Sequence, residues 1–334
     1  MSDQQHKICV LGAGSWGTAL AIQLARNGNH TVLWGHRANE IRAMQQTREN
    51  RRYLPGSTLP AELILDTELS CIEDADDLLI VVPSHAFRET LKAIAPHLKN
   101  GVRISWATKG LEQGSQKLLH QVAKEELGNR PLAVISGPTF AKEVAQGLPT
   151  AVTVASNDNF FAMDIATRLH GHNFRAYTSD DIIGVEIGGA VKNVLAIAAG
   201  IGDGLGFGAN TRSAIITRGL IEVMRLGVAM GGKQETFMGL AGLGDLVLTC
   251  TDNQSRNRRY GIALGQGKDS AQALVEIDQV VEGIQTSLEI HKLATRQGVD
   301  MPLASQVYRV LHEGLSAKAA VSELLGRDLK PELE

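Results

Sequence analysis

The chain has 334 residues, of which 43% are hydrophobic and 21% are charged, and its formal net charge is −3. This length predicts about two domains with a hydrophobic core, and the composition excludes both a disordered chain and one dissolved in a membrane. The slightly negative charge argues against a general polyanion binder, so we expect no nucleic-acid partner and only local recognition of phosphate.

The three cysteines, Cys9, Cys71 and Cys250, are far apart, odd in number and outside any CxxC motif. They predict neither a disulfide framework nor a thiolate metal site, and they fit a reducing cytoplasm. The first residues, MSDQQHKICVLGAG, are polar and run directly into a predicted strand, so we expect no signal peptide. We expect no metal site at His170 and His172, because a spacing of two at a helix end turns the rings to different faces.

Short apolar runs alternate with helical patterns in the first half of the chain. The runs predicted to be strands are KICVLG, TVLWG, LLIVVP, VRISWAT, LAVIS and AVTVAS. Their continuous Val, Ile and Leu content indicates burial on both faces, as in a parallel sheet covered by helices. We therefore predict an α/β domain of the doubly wound Rossmann class over residues 1–179.

The segment GAGSWG, from Gly12 to Gly17, fits the pattern G-x-G-x-x-G. It follows the first predicted strand and opens the predicted helix SWGTALAIQLARNG, the context of a dinucleotide-binding turn. There the first glycine permits the tight turn, Gly14 lets the backbone approach a pyrophosphate, and Gly17 packs the helix on the strand. Amides around Ser15 and Trp16 would then face phosphate. The alternative is a glycine turn without a ligand.

The second predicted strand ends in Gly35, His36 and Arg37. A dinucleotide-binding chain usually carries an Asp or Glu here to bind the adenosine ribose. A cationic pair without a carboxylate suits the 2′-phosphate of NADPH, so we expect NADPH to be favoured and NADH to be tolerated. Two solvated loop residues are the alternative.

Two further turns follow predicted strands of the first domain, where open parallel sheets bind ligands. They are WATKG, which contains Lys109, and ISGPTFAKE, which contains Gly137, Thr139 and Ala141. A cation and a hydroxyl group at this edge of the sheet would suit a small oxygenated substrate.

Helical periodicity replaces the strand pattern from about residue 180, so we predict a domain boundary near YTSDD and a helical domain over residues 180–334. The most apolar window, from position 182 to 201, is interrupted by Glu186, Lys192 and Asn193. These groups are costly inside a bilayer, which predicts a buried core helix and no membrane insertion.

Lys192 lies in that apolar helix, with Gly188 and Gly189 one turn before it. The glycines predict an open strip with room for a substrate. A lysine titrates near pH 10.4, so desolvation would have to lower its pKa before it could exchange a proton with an alcohol at about neutral pH. The alternative is close packing through the glycines, with the lysine reaching water. Asp245, in GLGDLVLTC, is either its orienting partner or a helix cap.

The segment DNQSRNRRYG places three arginines within four positions, beside Ser255 and Asn257. The cluster is short and nearly free of aromatic residues, which disfavours nucleic-acid binding. A loop that binds the phosphate of a small substrate is one interpretation, and a solvated basic loop is the other.

The motifs occur in a characteristic order, namely GAGSWGTALA, VPSHAF, WATKGLE, ISGPTFAKE, GGAVKNVLAI, GLGDLVLTCT, SRNRRYG and VVEG. This ordered set closely resembles the bacterial NAD(P)-dependent glycerol-3-phosphate dehydrogenases, up to about position 314. The resemblance implies an N-terminal Rossmann domain and an all-helical C-terminal domain similar to that of 6-phosphogluconate dehydrogenase. It also implies reversible reduction of dihydroxyacetone phosphate to sn-glycerol 3-phosphate, which supplies phospholipid synthesis.

The resemblance further implies that Lys192 is the proton acceptor in glycerol 3-phosphate oxidation, with Asp245 beside it. The residues expected at the cofactor are Gly12, Gly14, Ser15, Trp16, Gly17, His36, Arg37, Lys109, Ala141, Arg256, Val280 and Glu282. The residues expected at the substrate are Lys109, Gly137, Thr139, Lys192, Asp245, Ser255, Arg256 and Asn257. Position 37 varies within this family, so the resemblance supports Arg37 less than His36.

Two other functions fit the residues alone. One is a Rossmann oxidoreductase that acts on a hydroxy acid or an imine, which would not need the arginines of SRNRRYG. The other is a non-catalytic NADPH sensor that binds a partner or nucleic acid. We expect a homodimer from the general frequency of symmetric oligomers, and the charged tail GRDLKPELE carries no readable role.

Overall fold

The computed structural model of the chain describes residues 6–171, 173–329 and 331–332. Some positions discussed above lie outside the described residues. They are residues 1–5, where no signal peptide was expected, His172, where no metal site was expected, and positions 330, 333 and 334 of the charged tail. The described strands are β1 (Lys7–Leu11), β2 (His30–Trp34), β3 (Ile64–Asp66), β4 (Asp77–Ile80), β5 (Arg103–Trp106), β6 (Leu132–Ser136), β7 (Thr150–Ser156) and β8 (Phe174–Ser179).

These strands form one sheet in the order β3-β2-β1-β4-β5-β6-β7-β8. Neighbouring strands are parallel except for β6 and β7, which are antiparallel. The predicted α/β class with a mostly parallel sheet is confirmed, and each of the six predicted runs contains a strand. Two strands were not predicted from the sequence, namely β3, which has three residues, and β8, an edge strand in which three of six residues are exposed.

Helices cover both faces of the sheet. Those of the N-terminal region are α1 (Ser15–Arg26), α2 (Ala38–Thr47), α3 (Ser84–Ile94), α4 (Leu119–Leu127), α5 (Ala141–Gln146) and α6 (Asn159–Leu169), with 3-10 turns at Leu69–Ile72 and Ala95–His97. Side chains alternate along a strand, so Ile8 and Val10 of β1 belong to the core under α1, α5 and α6. Cys9 and Leu11 belong to the core under α3 and α4.

After β8, every regular element of the described residues is helical. The helices are α7 (Ile182–Gly204), α8 (Ala209–Ala229), α9 (Gln234–Phe237), α10 (Asp245–Thr251), α11 (Arg256–Gly265), α12 (Ser270–Ile277), α13 (Glu282–Gln297), α14 (Pro302–His312) and α15 (Ala317–Leu325), with a π-helical turn at Leu240–Gly244. Among the described helices, α7 is long and apolar enough to cross a bilayer, but 83% of its apolar window is buried. It is therefore the core helix that the sequence predicts.

Helices α7 and α11 cross at backbone contact through glycines. Gly200 and Gly204 on α7 face Gly261 and Gly265 on α11, and a Cβ atom at Gly261 would lie 2.2 Å from the carbonyl oxygen of Ile197. No larger residue fits at that distance without moving a helix. This crossing fixes the N-terminus of α11 beside the middle of α7. Ser255 and Arg256 lie at that N-terminus, and Lys192 lies in the middle of α7.

We predict that Gly261→Ala lowers the free energy of unfolding by about 2 kcal/mol, because overpacking a tight contact typically costs roughly 1–3 kcal/mol. Urea denaturation measures the change. Gly326→Ala is the control, since the nearest atom to its new Cβ is 3.3 Å away, and it should change stability by less than about 0.5 kcal/mol. Equal effects of the two substitutions would contradict the contact.

Candidate active site at the junction of sheet and helices

The three glycines of GAGSWG have different environments. Gly12 has a φ of +122°, and a Cβ atom there would lie 2.4 Å from the carbonyl oxygen of Val81. A Cβ at Gly17 would lie 1.9 Å from the carbonyl oxygen of Gly12, so both positions require glycine. By contrast, a Cβ atom at Gly14 would have no described atom within 4 Å beyond its chain neighbours. The turn is therefore tight at two glycines and open at the third.

The open glycine sits at the start of α1. Gly14 is the N-cap of α1, and within the described residues no side chain caps this helix, so its first amides are available to an anion. The indole Nε1 of Trp16 is also buried without a partner among the described residues. A dinucleotide pyrophosphate fits this turn, because it needs both the open approach at Gly14 and the amides that follow.

The end of β2 packs directly on the glycine turn. A Cβ at Gly35 would lie 2.7 Å from Cδ1 of Ile41 and 3.0 Å from Cβ of Ala13, so glycine permits this approach. Arg37 donates from Nη1 to Oε1 of Glu40 at 2.9 Å, and this contact raises the pKa of Arg37. Glu40 was not predicted as part of this site, because this carboxylate lies in the first turn of α2 rather than at the end of the strand.

Two lysines share one buried carboxylate. Lys192, on α7, donates from Nζ to Oδ1 of Asp245 at 2.5 Å. Lys109, from the loop after β5, donates to Oδ2 of the same carboxylate and lies 3.3 Å from the carbonyl oxygen of Gly137. Asp245 has no exposed surface and Lys192 is 7% exposed. The structure thus brings together four of the predicted site residues.

Burial and neighbouring charges both act on the pKa values of this cluster. Burial lowers the pKa of Lys192 from its usual value near 10.5 to about 8, although the Asp245 carboxylate opposes the shift. Burial also acts to raise the pKa of Asp245, but the ammonium groups of Lys109 and Lys192 hold it below its usual value. Lys192 can therefore gain and lose a proton near neutral pH beside a permanent anion.

Thr249 also belongs to this cluster, although its position in the sequence was not predicted to be part of the site. Its Oγ1 accepts a hydrogen bond from Nζ of Lys192 at 2.8 Å and donates to the backbone carbonyl of Asp245 at 2.6 Å. The spacing of Asp245 and Thr249 could have indicated this role, because residues four apart lie on one face of a helix. Asp245 itself does not cap α10, whose N-cap is Gly244.

The expectation of an open strip beside Lys192, with room for a substrate, is wrong. A Cβ at Gly188 would lie 2.6 Å from the carbonyl oxygen of Ala241, and one at Gly189 would lie 3.0 Å from Oγ of Ser136. Backbone of the π-helical turn and side chains from the sheet fill the strip. The alternative of close packing through glycines is correct, but the lysine points to Asp245 rather than to water.

The arginines of DNQSRNRRYG divide into different roles. Ser255 is the N-cap of α11 and accepts a hydrogen bond from the amide of Arg258 at 3.2 Å. The Arg258 side chain is buried and paired with Asp203 at 2.5 Å, so it supports the fold. Arg259 is exposed, and Arg256 lies in the first turn of α11, 3.5 Å from Oε1 of Gln279. Of the three, Arg256 is the one left beside the helix N-terminus.

Asn257 connects this loop to the helix of Lys192. Its Nδ2 donates to Oδ1 of Asn193 at 3.0 Å, and its Oδ1 accepts from the amide of Gly283 at 2.9 Å. Asn193 in turn donates to Glu282, the first residue of α13, at 3.3 Å. The predicted phosphate loop and the predicted cofactor residue Glu282 therefore meet at α7.

The other predicted site residues lie around these clusters. Thr139 donates from Oγ1 to the carbonyl oxygen of Gly137 at 3.2 Å, and Ala141 begins α5. His36 is exposed beside Arg37 at the end of β2, and Val280 is exposed two residues before α13. A dinucleotide-binding turn after β1, together with a buried lysine cluster formed by α7, α10 and the loop after β5, is typical of the class of nicotinamide-dependent oxidoreductases.

Comparison with known proteins gives the family. The model of the NAD-dependent glycerol-3-phosphate dehydrogenase N-terminus matches residues 7–162, and that of the C-terminus matches residues 181–322. The glycerol-3-phosphate dehydrogenase (NAD(P)+) of Aeromonas hydrophila is 57% identical over 335 residues, which cover 99% of this chain and 100% of that protein. That of Colwellia psychrerythraea is 57% identical over 327 residues, 97% of this chain and 98% of that protein.

A solved structure agrees with these relatives. The crystal structure of glycerol-3-phosphate dehydrogenase from Coxiella burnetii is 53% identical, with a TM-score of 0.94 over 97% of this chain and 99% of that chain. The chain belongs to the NAD(P)-dependent glycerol-3-phosphate dehydrogenase family. It is therefore an oxidoreductase, and the resemblance read from its motifs is confirmed.

We predict that Thr249→Val lowers turnover of glycerol 3-phosphate by about 10- to 100-fold, because a hydrogen bond to a charged group contributes roughly 1.5–3 kcal/mol. The pH profile should shift as well, since Lys192 loses an acceptor. Thr249→Ser should restore both. Thr251→Val is the control, because Thr251 is exposed on the same helix and its Oγ1 donates to the backbone carbonyl of Val247 in its own turn. An equal loss in both valine variants would contradict a specific role.

Proposed function

We propose that this chain catalyses the reversible reduction of dihydroxyacetone phosphate to sn-glycerol 3-phosphate, with Lys192 as the group that moves the proton. The observation that carries the proposal is the buried contact of Lys192 with Asp245, whose other oxygen is taken by Lys109. With its pKa lowered to about 8, such a lysine has both protonation states accessible near neutral pH. The neutral amine can accept a proton from an alcohol, and the ammonium form can donate a proton when a ketone is reduced.

The proton moves in opposite directions in the two reactions. In oxidation, the neutral amine of Lys192 accepts the proton of the C2 hydroxyl group. In reduction, its ammonium form donates that proton to the developing alkoxide oxygen, and the second ammonium group, Lys109, stabilises the negative charge. Asp245 and Thr249 hold Nζ of Lys192 in place throughout. A bound nicotinamide supplies the hydride chemistry.

Substrate phosphate binding is assigned to the start of α11. Ser255, Arg256 and Asn257 offer a hydroxyl group, a guanidinium group and the backbone amides of the first turn of α11 that precede the amide capped by Ser255. Gly137 and Thr139 would contact the rest of the substrate near Lys109. Binding energy at the phosphate, remote from the reacting carbon, would position that carbon against Lys192.

The cofactor is assigned to the glycine turn and the residues around it. Gly12, Gly14 and Gly17 shape the turn, and Ser15 and Trp16 begin the helix that faces the pyrophosphate. His36 and Arg37 would bind the adenosine ribose and its 2′-phosphate, so that NADPH is favoured over NADH. The remaining contacts proposed for the cofactor are Lys109, Ala141, Arg256, Val280 and Glu282.

The proposal also covers the setting of the enzyme. A dinucleotide-binding domain over residues 1–179 and a helical catalytic domain over 180–334 are supported by the end of β8 at Ser179 and the start of α7 at Ile182. The product would feed glycerophospholipid synthesis. Three free, buried cysteines support a cytoplasmic location, and a homodimer is proposed from general frequency.

The decisive experiment follows the absorbance of NADPH before and after dihydroxyacetone phosphate is added. The proposal expects loss of absorbance with the phosphorylated ketone and little with unphosphorylated dihydroxyacetone. Lys192→Ala should abolish most turnover while NADPH still binds, because the lysine acts on the proton. Lys117→Ala, an exposed lysine paired with Glu125, serves as the control and should keep full activity.

The pH dependence gives the sign of the proton transfer. Oxidation of glycerol 3-phosphate should accelerate as pH rises through about 8, because the base must be neutral, and reduction should slow over the same range. Unchanged kcat in Lys192→Ala, or profiles without opposite slopes, would overturn the assignment.

For the cofactor, we predict a lower KM for NADPH than for NADH in the parent enzyme. Arg37→Asp should narrow this gap, because it replaces a cation at the 2′-phosphate with an anion. Steady-state kinetics with each cofactor measures the effect. Equal KM values in the parent enzyme would contradict the assignment of His36 and Arg37.

A further inference from the structure

A second arginine lies beside Arg37, beyond the end of β2. Arg37 and Arg52 donate from their Nη1 atoms to the same oxygen, Oε1 of Glu40, at 2.9 Å and 3.0 Å. Arg37 also donates to Oη of Tyr53 at 2.9 Å, and the guanidinium carbon of Arg52 lies 5.3 Å from the centre of the Tyr53 ring. One carboxylate oxygen therefore holds two guanidinium groups together.

The segment that carries Arg52 is anchored to the glycine turn. Asn50 is buried, and its Nδ2 donates to the carbonyl oxygen of Ala13 at 2.9 Å and to Oγ1 of Thr18 at 2.8 Å. Its Oδ1 accepts from the amide of Tyr53 at 3.2 Å. Arg52 stands between these two anchored residues, so its backbone keeps a fixed distance from the turn assigned to the pyrophosphate.

The charges of this group leave it positive and accessible. Two guanidinium groups face one carboxylate, and the side chains of Arg37 and Arg52 are 47% and 63% exposed. Paired guanidinium groups match the geometry of a phosphate dianion, which can accept from both. A ribose hydroxyl offers no such charge. Glu40 would repel a phosphate and attracts the same two cations.

We infer that Arg52 is a second cation for the 2′-phosphate of NADPH, and that Glu40 is the anion which this phosphate replaces. The inference rests on the proposed place of Arg37 at the adenosine ribose. With NADH, Glu40 stays paired with both arginines. With NADPH, the phosphate takes the arginines only after those pairs break, so Glu40 limits the preference and keeps both cofactors usable.

Titration calorimetry on the full chain tests the inference with two nucleotides, 2′,5′-ADP and 5′-AMP, which differ by the 2′-phosphate. Arg52→Ala should weaken 2′,5′-ADP by about tenfold, the size of one lost charge-assisted contact, and leave 5′-AMP unchanged. Glu40→Gln should tighten 2′,5′-ADP by a few-fold, because the competing anion is gone. The ratio of kcat/KM for NADPH over NADH should change in the same directions.

Arg51→Ala is the matched control, because Arg51 is the neighbouring exposed arginine and pairs with Glu49 at 3.2 Å instead of Glu40. It should leave both affinities as in the parent. Retention of 5′-AMP binding shows that each variant is folded.

The outcomes separate the inference from the proposed function. Equal affinity of the parent for the two nucleotides would overturn the NADPH preference and the inference with it. A parental preference that persists in Arg52→Ala would overturn the inference alone, as would equal weakening of both nucleotides. Weaker 2′,5′-ADP binding by Glu40→Gln would show that Glu40 positions the arginines rather than competing with the phosphate.

Discussion

The carboxylate of Asp245 takes up two ammonium groups that come from different parts of the fold. Lys109 comes from the loop at the carboxyl end of β5, an inner strand of the sheet, whereas Lys192 lies in the middle of α7. Two buried cations this close would repel each other, and breaking a buried ion pair by removing one partner typically costs about 3–5 kcal/mol. The meeting of sheet and helices at this point therefore depends on one side chain, and the protonation of Lys192 depends on it as well.

The sequence specifies the central sheet well and its edges poorly. Strands such as β1 and β4 are buried on both faces, so their unbroken apolar runs distinguish them from helices. The outermost strands lack this signal, because β3 has three residues and β8 has one buried residue among its six. The antiparallel pairing of β7 with β6 could not be predicted either, because the apolar composition of β7 is like that of the parallel strands.

At the site, the sequence identifies which residues matter better than what surrounds them. Glycine before Lys192 is compatible with a ligand or with a close backbone, and only the fold shows that Ala241 occupies the space at Gly188. Likewise, three arginines within four positions look alike in a sequence. Arg258 turns inward because Asp203, more than 50 positions earlier, provides a buried partner that no local pattern reveals.

The aromatic residues at the ligand edge of the sheet have a spectroscopic consequence. The chain contains three tryptophans. Trp34 and Trp106 end the parallel strands β2 and β5, and Trp16 lies within the glycine turn after β1, as the second residue of α1. Because the carboxyl ends of parallel strands share one side of the sheet, all tryptophan emission of the molecule comes from that side, which also carries the turn proposed for the cofactor. The helical region contains no tryptophan, so tryptophan excitation reports on the N-terminal sheet alone.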